Sequence, residues 1–509
     1  MGSFSNRFAI NVVANILKSI QTFVAGLLIA RGLGPDQYGK MVYLLGTFTA
    51  IRQLTDFGSS TTFFTLISKR RRDWRFVAIY LAWQLIQFVG TFVAIIFLLP
   101  KTLAEMIWRG ENNGLILLAF MASYLQSSLW STVIQIGEAM RVTWVVQLVG
   151  TIVGFVHCIL MLILLTFNLI SVSLVLKIIV CEWSFALCFM LYRVKLVSFE
   201  CERSGNLKTI FDEFRLYCLP LVPYAWISFA YEMSDKWMLQ TYGGNTQQAF
   251  YAVGNQFGSI AGVATASMLN VFWKEVAEAY DQGLVNRVNT LFVFVLKSLY
   301  LFASIVSGFL IPWAPNLLSL ALGESFRSGS GVLIIMLLYP IHQSMGQVCG
   351  AMLYATGKTK ISVVAGAISM ILSILLTSFL LVPHFGISAI IGDTSVVIAS
   401  KMVLLQIISV NIVSVYIVRS MNISYDWAAQ LLPVLTCIIL GRLSYMLFGC
   451  LNFSNDLAVA NSIFPGIFVS GLVYLSLVVV ITKRCPICAG FNRHEIDQMD
   501  SMMRKMLRF

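Results

Sequence analysis

Fourteen runs of about twenty apolar residues, joined by short loops, set the limits on what this chain can become. A helix of that length crosses a hydrocarbon layer of about 30 Å. The runs lie at 8–30, 41–67, 76–99, 115–136, 145–167, 172–191 and 216–239, then at 249–272, 290–311, 331–354, 361–382, 387–410, 428–448 and 463–481. Charged residues make up only 11% of the chain, against about 25% in soluble domains. A soluble surface needs more charge than that, so the expected class is an all-α polytopic membrane protein.

The loops orient it. Lys69, Arg70, Arg71, Arg72 and Arg75 fall in the second loop, and Arg193, Lys195, Arg203, Lys208 and Arg215 in the sixth. Lys358 and Lys360 fall in the tenth, and Lys483, Arg484, Arg493, Arg504, Lys505 and Arg508 in the tail. With fourteen spans all of these share one side, which should be cytoplasmic together with both termini. The net charge of +12 therefore reads as membrane orientation and not as nucleic-acid binding. The first run should remain as a helix, because Arg31-Gly-Leu-Gly is no signal-peptidase site.

The chain repeats itself weakly at an offset of about 210. Gly34-Pro-Asp-Gln37 meets Gly244-Asn-Thr-Gln247, each between paired spans. Pro35 is expected to push Gly34 out of the helical region and turn the chain over 32–39. Gly137-Glu-Ala-Met-Arg141 before the fifth span echoes Gly357-Lys-Thr-Lys360 before the eleventh. The expected organisation is an N-terminal lobe (1–192), a cytoplasmic linker (193–215), a C-terminal lobe (216–418), two extra spans (419–483) and a tail (484–509). Transporters commonly place their substrate between such repeats.

Polar residues stripe two inner helices. Asn11, Asn15, Lys18 and Thr22 share one face of the first span; Tyr224, Ser228, Tyr231 and Asp235 share one face of the seventh. Such stripes avoid lipid and line either a cavity or a helix–helix contact. Arg52 with Asp56, and Glu232 with Lys236, are i, i+4 pairs that either face a cavity or neutralise themselves. Lys177 with Glu182, Lys297, Asp393, Lys401 and Arg442 are further intramembrane charges without an assigned role.

Other chemistry is poorly supported. There is no Walker pattern and no nucleophile motif. The histidines His157, His342, His384 and His494 form no metal-spaced pair. Cys485 and Cys488 with His494 give three ligands where structural zinc wants four. No metal or cofactor is expected, and no enzymatic activity. A membrane-embedded glycosyltransferase would carry a large outer loop, which is absent; a non-transporting scaffold is the remaining alternative.

Several stretches resemble one family. LLIARGLGPDQYGKM is similar to the first outer loop of bacterial polysaccharide (O-antigen type) flippases, and TDFGSS to the Asp-x-Gly of their second span. MSDKWMLQTYGGNTQQAFYAVGNQ resembles their Asp-Lys-x-x-Leu segment, and ATGKTK with LVPHFGISA their eleventh-span signature. Ser369, Ser373 and Thr377 stand where that span often carries asparagines. The resemblance implies the multidrug/oligosaccharidyl-lipid/polysaccharide exporter superfamily, with two lobes and two added helices. It implies flipping of a polyprenyl-diphosphate-linked oligosaccharide across a bacterial inner membrane, by alternating access. Implied partners are that substrate, membrane lipids, a polysaccharide polymerase and a chain-length regulator. A lipid II flippase and a drug or cation exporter are the alternatives.

A diphosphate cannot cross hydrocarbon bare, so a cationic groove is required. The candidates to bind it are Lys18, Arg31, Arg52, Lys236 and Lys274, with Tyr224 and Tyr231 for the glycan. The acids Asp56, Asp235 and Glu232 are the candidates for ion coupling.

Overall fold

The computed structural model describes residues 4–70, 72–140, 142–196, 207–382, 393–423, 425, 430–451, 459–491 and 493. Among these residues helix is the only regular structure. The helices are α1 (Phe4–Asp56), α2 (Ser59–Lys69), α3 (Trp74–Val93), α4 (Lys101–Trp108), α5 (Asn113–Ser123), α6 (Trp130–Ala139), α7 (Thr143–Thr166) and α8 (Val172–Leu196). Then follow α9 (Leu207–Cys218), α10 (Val222–Asp281), α11 (Val285–Leu322), α12 (Ser330–Met336), α13 (Tyr339–Ala355) and α14 (Thr359–Leu381). The last are α15 (Thr394–Met421), α16 (Leu431–Leu451) and α17 (Val459–Arg484).

Eleven helices among the described residues are long and apolar enough to cross a membrane. One of them is α1, whose 53 residues suffice for two crossings. The 60-residue α10 also has length for two, although it is not among those eleven. Together these give fourteen spans. Large side chains such as Leu85, Phe97, Leu375 and Leu435 are exposed, as lipid-facing surfaces require.

Both double-length helices break at one glycine. Gly34 has φ 71° and ψ 172°, and Gly244 has φ 73° and ψ −172°. These dihedrals are essentially closed to residues with a Cβ. The turn expected over 32–39 thus shrinks to one non-helical residue, with helix resuming at Pro35, a residue preset for a first helical turn.

The chain divides into two compact units. The first comprises Met1–Ala249 with Met370–Ala389. Its core stacks Phe63 on Tyr80 at 4.0 Å and on Phe76 at 5.7 Å, surrounded by Leu66, Val133, Ile136 and Val146. Asp73 caps α3 through the Phe76 amide, and Asn112 caps α5 through the Gly114 amide. The second unit comprises Phe250–Ser369 with Ile390–Phe509. Phe292, Leu296 and Leu299 of α11 pack there with Ile341, Met345 and Met352 of α13. The last helix is tied to α11 by Tyr474, whose hydroxyl donates to the Ile305 carbonyl at 2.9 Å. Cys485 precedes, and Cys488 lies within, a 3-10 turn whose Pro486 and Ala489 are buried, and Lys297 stands 5.8 Å from the Phe491 ring. His494 lies outside the described residues.

Candidate functional site

The first unit carries most of the candidate residues, on the second half of α1, the first half of α10 and the end of α14. These backbones lie close. A Cβ on Gly39 would collide with the Asn245 carbonyl, so no larger residue fits between the two helices there. Asn245 Nδ2 also donates to Asp36 at 2.9 Å, tying the two glycine breaks together.

Further along, Lys236 Nζ meets Glu232 at 2.7 Å and donates to the Gly46 carbonyl at 3.2 Å. Gln53 Nε2 donates to the other Glu232 oxygen at 2.6 Å. Gln53, Glu232, Lys236 and Gly46 therefore lock the second and seventh spans together at mid-helix. The Glu232–Lys236 pair expected from the spacing exists, and about a quarter of each side chain remains accessible. Asp235 accepts from Thr377 Oγ1 at 2.6 Å, which docks α14 on α10.

The Arg52–Asp56 pair inferred from spacing does not form an ion pair. After Asp56 the chain takes left-handed dihedrals at Phe57 and Gly58 and restarts as α2. The Asp56 carboxylate turns forward to this new helix. It accepts from Ser59 Oγ at 3.0 Å, the Ser60 amide at 3.1 Å and Ser60 Oγ at 2.9 Å. Amides at a helix N-terminus inside a membrane need acceptors, and that need outweighs an i, i+4 contact in the unfavourable order. Arg52 instead lines a small cavity with Thr55, Thr91, Ser123, Tyr124 and Ser127.

Lys18, on the stripe of the first span, donates to the Gln147 side-chain carbonyl of α7. A Cβ on Gly150 would sit 2.9 Å from Lys18 Nζ, so the ammonium lies against α7. The Asn11 side chain lies outside the described residues. Arg31 is exposed just before the Gly34 break, Tyr224 is exposed and Tyr231 half-buried. Lys274 is exposed and belongs to the second unit.

Lys177 and Glu182, named together above without an assigned role, do not meet. Five residues along a helix separate two side chains by well over a quarter turn. Lys177 is exposed, and Glu182 meets His157 of α7 at 2.8 Å. Arg109 escaped the sequence reading. It ends α4 in a left-handed conformation and donates to the Gln240 and Thr241 carbonyls at 3.3 and 2.6 Å. There it caps the helical segment that Gly244 interrupts. Beside it Lys40 pairs with Glu111 at 2.8 Å, on the rim of a cavity of about 250 Å³.

No family model matches the sequence, and no curated protein matches it. Solved structures do. A lipid II flippase, MurJ, in an inward closed conformation superposes with a TM-score of 0.66 at 16% identity, covering 93% of this chain and 98% of that one. An inward-facing multidrug resistance MATE family transporter of the MOP superfamily gives 0.54 at 14% identity, covering 80% and 95%. A MOP superfamily transporter from Pyrococcus furiosus, described as having a binding pocket of reverse polarity, gives 0.52 at 14% identity, covering 82% and 96%. The fold of this chain is that of MOP superfamily transporters.

Proposed function

We propose that the chain flips a polyprenyl-diphosphate-linked oligosaccharide across the membrane by alternating access. The observation carrying this reading is intramembrane positive charge left without acid. Among the described residues neither Lys18 nor Arg52 has a carboxylate within 4.0 Å; their surroundings are an amide carbonyl and hydroxyls. A cation kept in a membrane at such cost normally marks an ion or substrate path. Arginine and lysine are the side chains suited to a diphosphate. In this reading Arg52, Lys18, Lys236, Arg31 and Lys274 bind the diphosphate, and Tyr224 and Tyr231 meet the glycan. Asp56, Asp235 and Glu232 balance the charge and couple transport to an ion. The setting is a bacterial inner membrane with both termini in the cytoplasm, beside a polysaccharide polymerase and a chain-length regulator.

Lipid II is the second reading. It is favoured by the likeness to a lipid II flippase over 93% of the chain, whereas the multidrug transporter covers 80%. Both cargoes carry a diphosphate, so one experiment addresses both. The purified chain is reconstituted in vesicles and offered lipid II and an undecaprenyl-diphosphate-linked O-antigen repeat, with outer-leaflet arrival as the readout. The O-antigen carrier should move faster. Movement of neither, with the chain folded and inserted, would overturn the proposal.

A further inference from the structure

The cavity of about 250 Å³ beside the two glycine breaks lies within the first unit, and no residue assigned above to the diphosphate or the glycan lines it. Lys40 and Tyr43 of α1 form one wall, and Gln240 and Asn245 of α10 another. The third comes from the end of α4. There Arg109 (φ 55°) and Gly110 (φ 73°) turn the chain so sharply that Trp108, Arg109 and Glu111 all reach the same space. Trp108 is 2% exposed, stacks on Phe48 at 5.7 Å and donates its Nε1 proton to Thr47 Oγ1 at 3.3 Å. The Tyr43 hydroxyl donates to the Ile107 carbonyl. Both rings have spent their donors inside the protein, so they offer the cavity mainly apolar surface.

The remaining lining is polar and only half used. Arg109 places Nη2 on the Gln240 and Thr241 carbonyls, and its other guanidinium nitrogens bond nothing among the described residues. The Lys40 and Glu111 side chains meet only each other there, with about a fifth of each accessible. Gln240 is 6% exposed; its Nε2 donates to Asn245, and its Oε1 has no hydrogen-bond partner among the described residues. A buried acceptor in that state calls for a donor from elsewhere. A bare anion would meet the Glu111 carboxylate, and a bare cation the Arg109 guanidinium. A polyol meets neither objection. Its hydroxyls both donate and accept, neighbouring hydroxyls match a donor and an acceptor set side by side, and its C–H face covers an aromatic ring. The volume falls below the roughly 300 Å³ at which drug-sized sites begin, which suits one ring and not a chain.

We infer that this cavity is a sugar-binding site that takes one residue of the glycan after it has crossed. The second half of that statement rests on the flippase reading, under whose topology the turns carrying Gly34, Arg109 and Gly244 all lie opposite the basic loops. About 14 Å of helix separates Gln240 from Tyr231 on α10, so this place is distinct from the glycan contact proposed there. A tethered sugar has a millimolar effective concentration, so even a weak site fills and opposes the return of the cargo.

The test uses the full chain in nanodiscs, with the methyl glycosides of glucose, galactose and N-acetylglucosamine as probes and inorganic phosphate as the anion control. Saturation transfer from protein to probe is the readout. At least one glycoside should bind the parent, and Glu111→Gln and Lys40→Met should each weaken it about tenfold, the scale of one hydrogen bond to a charged group. Both positions are partly solvated, and unchanged thermal unfolding certifies the fold. Binding of no glycoside, equal binding in parent and variants, or displacement of the glycoside by an equal concentration of phosphate would each overturn the sugar site. The vesicle assay then tests its place on the path. Free glycoside on both sides should slow outer-leaflet arrival severalfold in the parent, and Glu111→Gln should lose that slowing. Transport indifferent to a glycoside that binds would overturn the exit role and leave the flippase reading standing. Glycoside binding without any transport would strike the flippase reading and leave the sugar site.

Discussion

The two glycine-broken helices share a backbone and differ in their chemistry. Gly34 and Gly244 lie 210 residues apart and adopt the same unusual conformation within a few degrees in φ. At the same offset, Arg52 corresponds to Gly262, Asp56 to Ala266, and Lys18 to Ser228. Conversely, Glu232, Asp235 and Lys236 correspond to Thr22, Ala25 and Gly26. The α1 helix stops and restarts at Phe57–Gly58, whereas α10 runs on to Asp281. The repeat therefore preserves how the chain changes direction and discards the charges. Shape is the part both halves share; on the proposed reading the electrostatics answer to a cargo that is not itself symmetric.

That contrast can be broken at its strongest point first. Gly34→Ala and Gly244→Ala each force a Cβ into a region reserved for glycine, at about 1–3 kcal/mol. Thermal unfolding of the purified protein should show two losses of similar size. A clear loss at one site and none at the other would end the claim of equivalence. The charge asymmetry comes next. Arg52→Gln should cut transport about tenfold, roughly 1.4 kcal/mol in the barrier, with the fold intact, and Arg52→Lys should retain part of it. Because Asp56 caps α2 and does not neutralise Arg52, adding Asp56→Asn should not restore transport. Recovery in the double variant would return Arg52 to a structural role. The smallest effect belongs to the pair on α10. Replacing Glu232 and Lys236 together by Gln should change stability by less than about 1 kcal/mol, since both groups are partly solvated. A larger loss would make this link between the second and seventh spans a structural mainstay.

The sequence disclosed periodicity and breakers better than side-chain direction. Apolar runs and the Gly-Pro and Gly-Asn steps carry their own physics, so the spans and both breaks were legible. Asp56 was not. Its partner depends on the chain ceasing to be helical one residue later, and an i, i+4 rule presumes a continuous helix. The motif Asp56-Phe-Gly-Ser-Ser60 did hold the clue: an acid before two serines after a glycine is a capping pattern. Glu182 was illegible for another reason, because its partner lies on a neighbouring helix 25 residues away. Arg109 acts through two backbone carbonyls, and no side-chain pattern can announce a backbone acceptor.

The interruption after Asp56 has a mechanical consequence. A helix that bends inside a membrane must ordinarily melt a turn and leave amides facing hydrocarbon. Here the Asp56 carboxylate already receives the Ser60 amide and two serine hydroxyls, and these acceptor oxygens sit beside the joint itself. Swivelling α2 about Phe57 and Gly58 then changes a few torsions and breaks no rung of either helix. The upper part of the second span stays anchored by Gln53 and the Gly46 carbonyl. The part beyond the joint, α2, is built into the core of the first unit through Phe63 and Leu66, so the stiffness of this joint is set by those side-chain contacts and not by the cost of unwinding.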